Sequence, residues 1–168
     1  MKLFLCKRTK ILIIDTDVLI NILDRVDKTT TLRVLNHIAL EYEVILFPER
    51  VIQEFLSPNP RKKDRTLKKV YRSYGSAKYF PCPIKTSKED LQRLSNMSVN
   101  CLLHDGEADA IIQASKCVHH ETPSEVHVLT GDGCAIEFLE RNYHRFQVIP
   151  VPYAKWKKRF LEMGITLP

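Results

Sequence analysis

The four residues Ile11-Leu12-Ile13-Ile14 carry no polar side chain at either parity, and the run stops abruptly at Asp15. A strand with one wet face alternates apolar with polar residues, whereas a run apolar at every position belongs to a strand covered on both faces, as in the centre of a parallel sheet. Such a strand requires helices on each side of it.

The rest of the chain supplies them in alternation. Val18, Leu19, Ile20, Ile22 and Leu23 follow in helical spacing, and a second periodic segment from about Thr30 to Tyr42 puts Leu32, Leu35, Ile38 and Ala39 on one side. Val44-Ile45-Leu46-Phe47 is a second buried strand. Pro48 opens a helix that carries Val51, Ile52, Glu54, Phe55 and Leu56 until Pro58 and Pro60 end it. Arg61 to Tyr74 reads as an exposed helix seated by Leu67, Val70 and Tyr71. The stretch Tyr79 to Ile84, interrupted by Pro81 and Pro83, reads as an extended edge. Ser87 caps a further helix with Asp90 three residues on. A helix over Asp105 to His119, a strand at Val126 to Leu129, a helix over Ala135 to Tyr143, a strand at Phe146 to Ile149 and a helix over Pro152 to Met163 complete the series. The predicted fold class is α/β, a three-layer α/β/α sandwich with a mainly parallel central sheet. With 168 residues, 44% of them hydrophobic, the expectation is one domain over residues 1–168.

A net charge of +6 favours polyanionic partners, although solubilising charge explains it as well. No stretch approaches the roughly 20 apolar residues of a membrane span, and the start of the chain breaks into charge at Lys7-Arg8, too early for a signal peptide. A soluble, cytoplasmic protein is expected. Cys6, Cys82, Cys101, Cys117 and Cys134 are scattered and form no Cys-x-x-Cys pair, which points to buried small hydrophobes. Cys117 with His119 and His120 lacks a second ligand pair and reads as a helix end.

The acidic residues are the informative ones. In open α/β sheets ligands bind beyond the carboxyl ends of the strands, which is where Asp15 and Asp132 fall. Glu54 and the group Asp105, Glu107 and Asp109 begin or occupy helices that can lean over the same edge. On a helix Asp105 and Asp109 share a face while Glu107 points elsewhere, unless the helix starts later. Crowded carboxylates repel one another, and a hard cation such as Mg²⁺ or Mn²⁺ relieves that repulsion. Each acid also has an ordinary explanation: Asp15, Asp17 and Asp105 as helix caps, Glu54 as a solvated face residue, Asp132 as a turn residue.

Four motifs in order resemble the PIN-domain family, in the branch of VapC-type toxins and related archaeal and bacterial ribonucleases. They are Ile13-Ile14-Asp15-Thr16-Asp17-Val18-Leu19-Ile20, Val51-Ile52-Gln53-Glu54-Phe55-Leu56, Gly106-Glu107-Ala108-Asp109-Ala110-Ile111-Ile112-Gln113-Ala114 and Val128-Leu129-Thr130-Gly131-Asp132. They span about Lys10 to Ile149. The resemblance implies a PIN-like fold and a Mg²⁺- or Mn²⁺-dependent endoribonuclease working by a two-metal-ion mechanism. Asp15, Glu54, Asp109 and Asp132 form its catalytic quartet, and Glu107 joins or replaces Asp109 among the metal ligands Asp15, Asp109 and Asp132. Thr130 and Asp17 support that centre. Asp17 stands where the family more often has Ser, Thr or Asn, and Gly131 where a second polar residue is frequent. The resemblance also implies a homodimer and, if the chain is the toxin of a toxin-antitoxin pair, an antitoxin partner.

Single-stranded RNA needs cations outside the acidic pocket. Arg61, Lys62, Lys63, Arg65, Lys68, Lys69 and Arg72 are the expected nucleic-acid contacts, with Tyr71 and Tyr74 for base stacking. Lys155, Lys157, Lys158 and Arg159 can contribute, while Trp156 anchors the last helix. His104, nearest the acids, reads as a surface or supporting residue. Two rival readings share these residues. Asp15-Thr16-Asp17 also resembles the nucleophile loop of haloacid-dehalogenase-type phosphatases, with Asp15 as nucleophile. The same fold also serves as a non-catalytic RNA- or protein-binding module.

Overall fold

A computed structural model describes residues 9–57, 59–74, 78–98, 101–119 and 125–168, with the side chains of Ser73 and Tyr74 outside that description. Cys6, His120 and the ring of Tyr74 therefore lie outside the described residues. The chain is α/β, with five strands: β1 (Lys10–Ile14), β2 (Val44–Phe47), β3 (Tyr79–Pro81), β4 (Glu125–Thr130) and β5 (Val148–Pro152). All pair in parallel, in the order β3-β2-β1-β4-β5. Nine helices among the described residues cover both faces: α1 (Thr16–Leu23), α2 (Lys28–Glu41), α3 (Glu49–Leu56), α4 (Pro60–Tyr74), α5 (Lys88–Met97), α6 (Asp105–Val118), α7 (Gly133–Arg141), α8 (Tyr143–Phe146) and α9 (Tyr153–Glu162).

Because side chains alternate along a strand, β1 feeds both layers. Leu12 and Ile14 join the core built with α1, α2, α3, α4 and α9, while Ile11 and Ile13 join the one built with α5, α6 and α7. That is why no position in the run tolerates a polar residue. Trp156 anchors α9 as expected, packed on Tyr42 and Phe160 with ring centroids 6.3 and 5.4 Å away. The Ser87 capping box forms in full, through Ser87 N–H to Asp90 at 2.8 Å and Asp90 N–H to Ser87 Oγ at 3.1 Å.

Three boundaries differ from expectation. Pro60 does not end a helix but starts α4, where its missing N–H costs no hydrogen bond. The helix expected over Ala135 to Tyr143 is two, α7 and the one-turn α8, which ends on Gln147 in the left-handed region at φ 52°. The last strand starts at Val148 rather than Phe146, whose ring packs on Phe138 instead. Of the described cysteines only Cys117 is buried, and Cys82, Cys101 and Cys134 are half-buried. Among the described residues no helix is long and apolar enough to cross a membrane.

Strand order decides where a site can form. From β1 the chain crosses to β2 and on to β3 over one face, then returns through α5 and α6 over the other face to place β4 on the free side of β1. The connections leaving β1 and β4 thus depart to opposite faces, which opens a crevice at the carboxyl ends of these two neighbours.

Candidate functional site

The residues at that crevice are Asp15, Thr16, Thr130 and Asp132. Asp15 follows β1 directly and its backbone N–H continues the ladder to Leu129 O at 3.0 Å, so the acid is fixed by the sheet itself. Its Oδ1 accepts from Thr16 N–H at 2.6 Å, capping α1, and its Oδ2 accepts from the Thr130 hydroxyl at 2.8 Å. Thr130 Oγ1 in turn accepts from Asp132 N–H at 3.0 Å, and Asp132 Oδ1 caps α7 by accepting from Ala135 N–H at 2.7 Å. Cap and site are therefore the same side chains: the hydrogen bonds that start α1 and α7 also orient the acids.

Asp15 is only 2% exposed. Burial pushes its carboxyl up from 3.8 to about 7; the Thr130 bond opposes this, and the negative charges of Glu107 and Asp17 add to it. Glu107 is raised too, first by burial and then by the charges of Asp132 and Asp17, while its bond from His104 N–H at 2.6 Å pulls the other way. Asp15, Asp17, Glu107 and Asp132 are thus one electrostatic group. Asp17 stands in the first turn of α1, exposed at its rim. His104 is exposed as the residue preceding α6, and it acts on Glu107 both through its backbone N–H and through the charge of its side chain, which pulls Glu107 down.

The quartet expected from the motifs is divided by the structure. Glu107 and Asp109 are two residues apart on α6, about 200° around the helix, so they cannot face the same way. Glu107 takes the side of Asp15. Asp109 faces away: its Oδ2 accepts from Arg50 N–H at 3.0 Å, and its Oδ1 accepts from Gln113 Nε2 at 2.7 Å and from the Thr86 hydroxyl. Of the two α6 acids, Glu107 is the one that interacts electrostatically with Asp15, while Asp109 is turned to these donors. Glu54 comes close but is held by Thr16, whose hydroxyl donates to Glu54 Oε2 at 2.5 Å. That bond explains Gly106, where a Cβ would meet Glu54 Oε2 and Thr16 Oγ1 at 2.6 Å each. Gly106 lets α6 approach α3 closely enough for Glu107 to reach the crevice.

The donor chemistry suits a hard divalent cation, since the acids offer carboxylate oxygens, and a cation relieves the mutual charge that helps raise Asp15 and Glu107. Among the described residues no three acidic, histidine or cysteine side chains already converge to hold one ion, however. What unites these acids is repulsion at longer range.

The basic helix α4 is divided as well. Arg61, Lys62, Arg65, Lys68, Lys69 and Arg72 are exposed, with Lys68 paired to Asp64 at 2.5 Å. Lys63 is 5% exposed, 3.3 Å from Asp24 and 4.8 Å from the Phe55 ring centroid. It is turned inward, unlike its exposed neighbours on α4. Tyr71 is half-buried and packs against Phe47, centroids 5.9 Å apart. In the tail Arg159 is paired with Glu41, Lys157 lies over the Tyr153 ring at 5.9 Å, and Lys155 and Lys158 are exposed.

No protein-family model and no curated protein sequence matches this chain.

Proposed function

We propose that this chain is a PIN-like, divalent-cation-dependent endoribonuclease whose centre is Asp15, Glu107 and Asp132, with Asp17 at its rim. The observation that carries the reading is the group of mutually repelling carboxylates at the crevice between β1 and β4, its deepest member pushed up to about 7. Buried acids that raise one another's proton affinity are unfavourable to keep without compensation, and such perturbed groups concentrate at functional sites.

Asp15, Glu107 and Asp132 would hold Mg²⁺ or Mn²⁺, which supplies positive charge and Lewis acidity toward a phosphodiester. Since these acids do not already converge, holding one ion together would require the side chains of Glu107 and Asp132 to turn toward Asp15. Thr130 keeps Asp15 oriented and ties it to the Asp132 backbone. The Thr16–Glu54 bond braces the opening of α1 against α3, and Gly106 lets α6 pack on that pair. The exposed cations Arg61, Lys62, Arg65 and Lys69 attract the strand's phosphates, offsetting the repulsion of the acids.

Single-stranded RNA incubated with Mg²⁺ or Mn²⁺, parent against Asp15→Asn, tests this. Cutting by the parent and a loss of about a hundredfold or more in the variant is the expected result. Equal cutting by both removes Asp15 from the mechanism, and turnover of small phosphate esters in place of RNA favours the phosphatase reading.

A further inference from the structure

Two cysteines far apart in the sequence meet in the fold, Cys82 just beyond β3 and Cys117 in the last turn of α6. Cys82 N–H donates to Phe47 O at 2.8 Å, so the sheet still holds its backbone. Lys116, beside Cys117, reaches back to Lys85 O at 2.9 Å, and Thr86 donates to Asp109 about two turns earlier on the same helix. These bonds pin the exit from β3 along α6. Within that seam the Cys117 thiol donates to the Cys82 sulfur, and both side chains pack in the core that α6 shares with the sheet.

The two sulfurs have unequal surroundings. Cys117 is buried, and its thiol is pushed up first by donating to Cys82, then by burial and by the charge of Cys82. Cys82 is half-buried, and its thiol is drawn down first by the bond from Cys117; burial opposes this, the Ile84 N–H supports it and the charge of Asp109 opposes it. One sulfur is therefore a partly accessible acceptor with two donors, and the other is a protonated thiol directly behind it. Packing alone accounts for Cys117, because a free cysteine behaves as a small hydrophobe. It does not account for a half-exposed sulfur supported as an anion. Among the described residues no third ligand side chain joins the two thiols into a metal-holding group. A thiolate open to solvent with a second thiol in reach is the arrangement that oxidises reversibly.

We infer that Cys82 and Cys117 form a reversible oxidation site for hydroperoxides, with Cys82 as the attacking sulfur and Cys117 as the resolving one. The Cys82 thiolate attacks the terminal peroxide oxygen, the O–O bond breaks, and the departing alkoxide or hydroxide takes up a proton, leaving Cys82 as a sulfenic acid. The Cys117 sulfur then displaces that hydroxyl. The S–S bond forms, the S–O bond breaks, and the Cys117 proton leaves with the hydroxyl as water. Two thiols together lose two electrons and one peroxide gains them. Only Cys82 has to meet the oxidant, which suits its exposure and the burial of Cys117. The bond fastens the exit of β3 to α6, the helix that carries Glu107, and its chemistry is independent of the ribonuclease reading.

The test treats the reduced full chain with a small excess of hydrogen peroxide near neutral pH, in chelator to suppress metal-catalysed side reactions, followed by intact-mass and peptide mass spectrometry. The parent is expected to lose the mass of two hydrogens and to yield a Cys82–Cys117 cross-linked peptide, at least about tenfold more abundant than any other cysteine cross-link and reversed by dithiothreitol. Cys117→Ser should stop at a Cys82 sulfenic acid captured by dimedone, and Cys82→Ser should leave Cys117 as a free thiol. Cys82 left unmodified in the parent, or oxidised there without a link to Cys117, overturns the inference. So does a Cys117 that oxidises as readily in Cys82→Ser as in the parent. Should either variant fail to fold, the cross-link map of the parent decides.

Discussion

Asp15 illustrates how one buried side chain couples chemistry to stability. In the folded chain its carboxyl titrates at about 7 against an ordinary 3.8, so the native state holds the proton more tightly than the unfolded state. Below about pH 4 both states are protonated and nothing is lost. As pH rises toward 7 the unfolded chain releases its proton first, and stability declines, by at most about 4 kcal/mol. In chelator, urea unfolding of the parent should fall relative to Asp15→Asn between pH 4 and 7, and added Mn²⁺ should restore the parent at pH 8. A parent that gains on the variant over that range would contradict the burial argument. Glu107 and Asp109 offer a second contrast. Glu107→Gln should remove RNA cleavage and the Mn²⁺-dependent rise in Tm. Asp109→Asn should lower stability by about 1–3 kcal/mol through its lost charge-assisted bonds while keeping the Mn²⁺ response, as calorimetry with and without metal would show.

At the scale of elements, the strands are readable because burial on both faces leaves a compositional mark, as in Ile11 to Ile14 and Val44 to Phe47. Asp15 and Asp132 are readable for the same reason, since each follows a strand whose end is visible. The phase of α6 is not. Which of Glu107 and Asp109 turns to the crevice depends on how α6 seats against α3, and Gly106 sets that seating. Gly106→Ala should force Glu54 and Thr16 aside and cost about 1–3 kcal/mol in unfolding measurements, with cleavage reduced alongside. In α4 the inward face is equally hidden, because Lys63 looks like its exposed neighbours until its ammonium is found between Asp24 and Phe55. Lys63→Ala should lower Tm by loss of that pair, at about 1–3 kcal/mol, and leave RNA affinity unchanged.

For the whole molecule, the proposed function gives attraction to the exposed cations of α4 and chemistry to the acids of the crevice. Replacing Arg61, Arg65 and Lys69 by alanine should weaken RNA binding and flatten its dependence on salt by about 0.7 in log-log slope for each phosphate no longer neutralised, without changing Tm. An unchanged slope in fluorescence titrations would move the RNA path off α4. Parallel order β3-β2-β1-β4-β5 gathers Asp15, Thr130 and Asp132 at one edge only because β4 returns to lie beside β1.

That return joins Thr130 to Asp15 across a sequence separation of 115 residues. A nascent polypeptide emerging from the ribosome can form α1 through α5 while Asp15 still lacks its hydroxyl partner and its neighbour Asp132. The acidic group is consequently completed late in synthesis, and any shortened product that stops before β4 carries the first aspartate without Thr130 and Asp132 beside it.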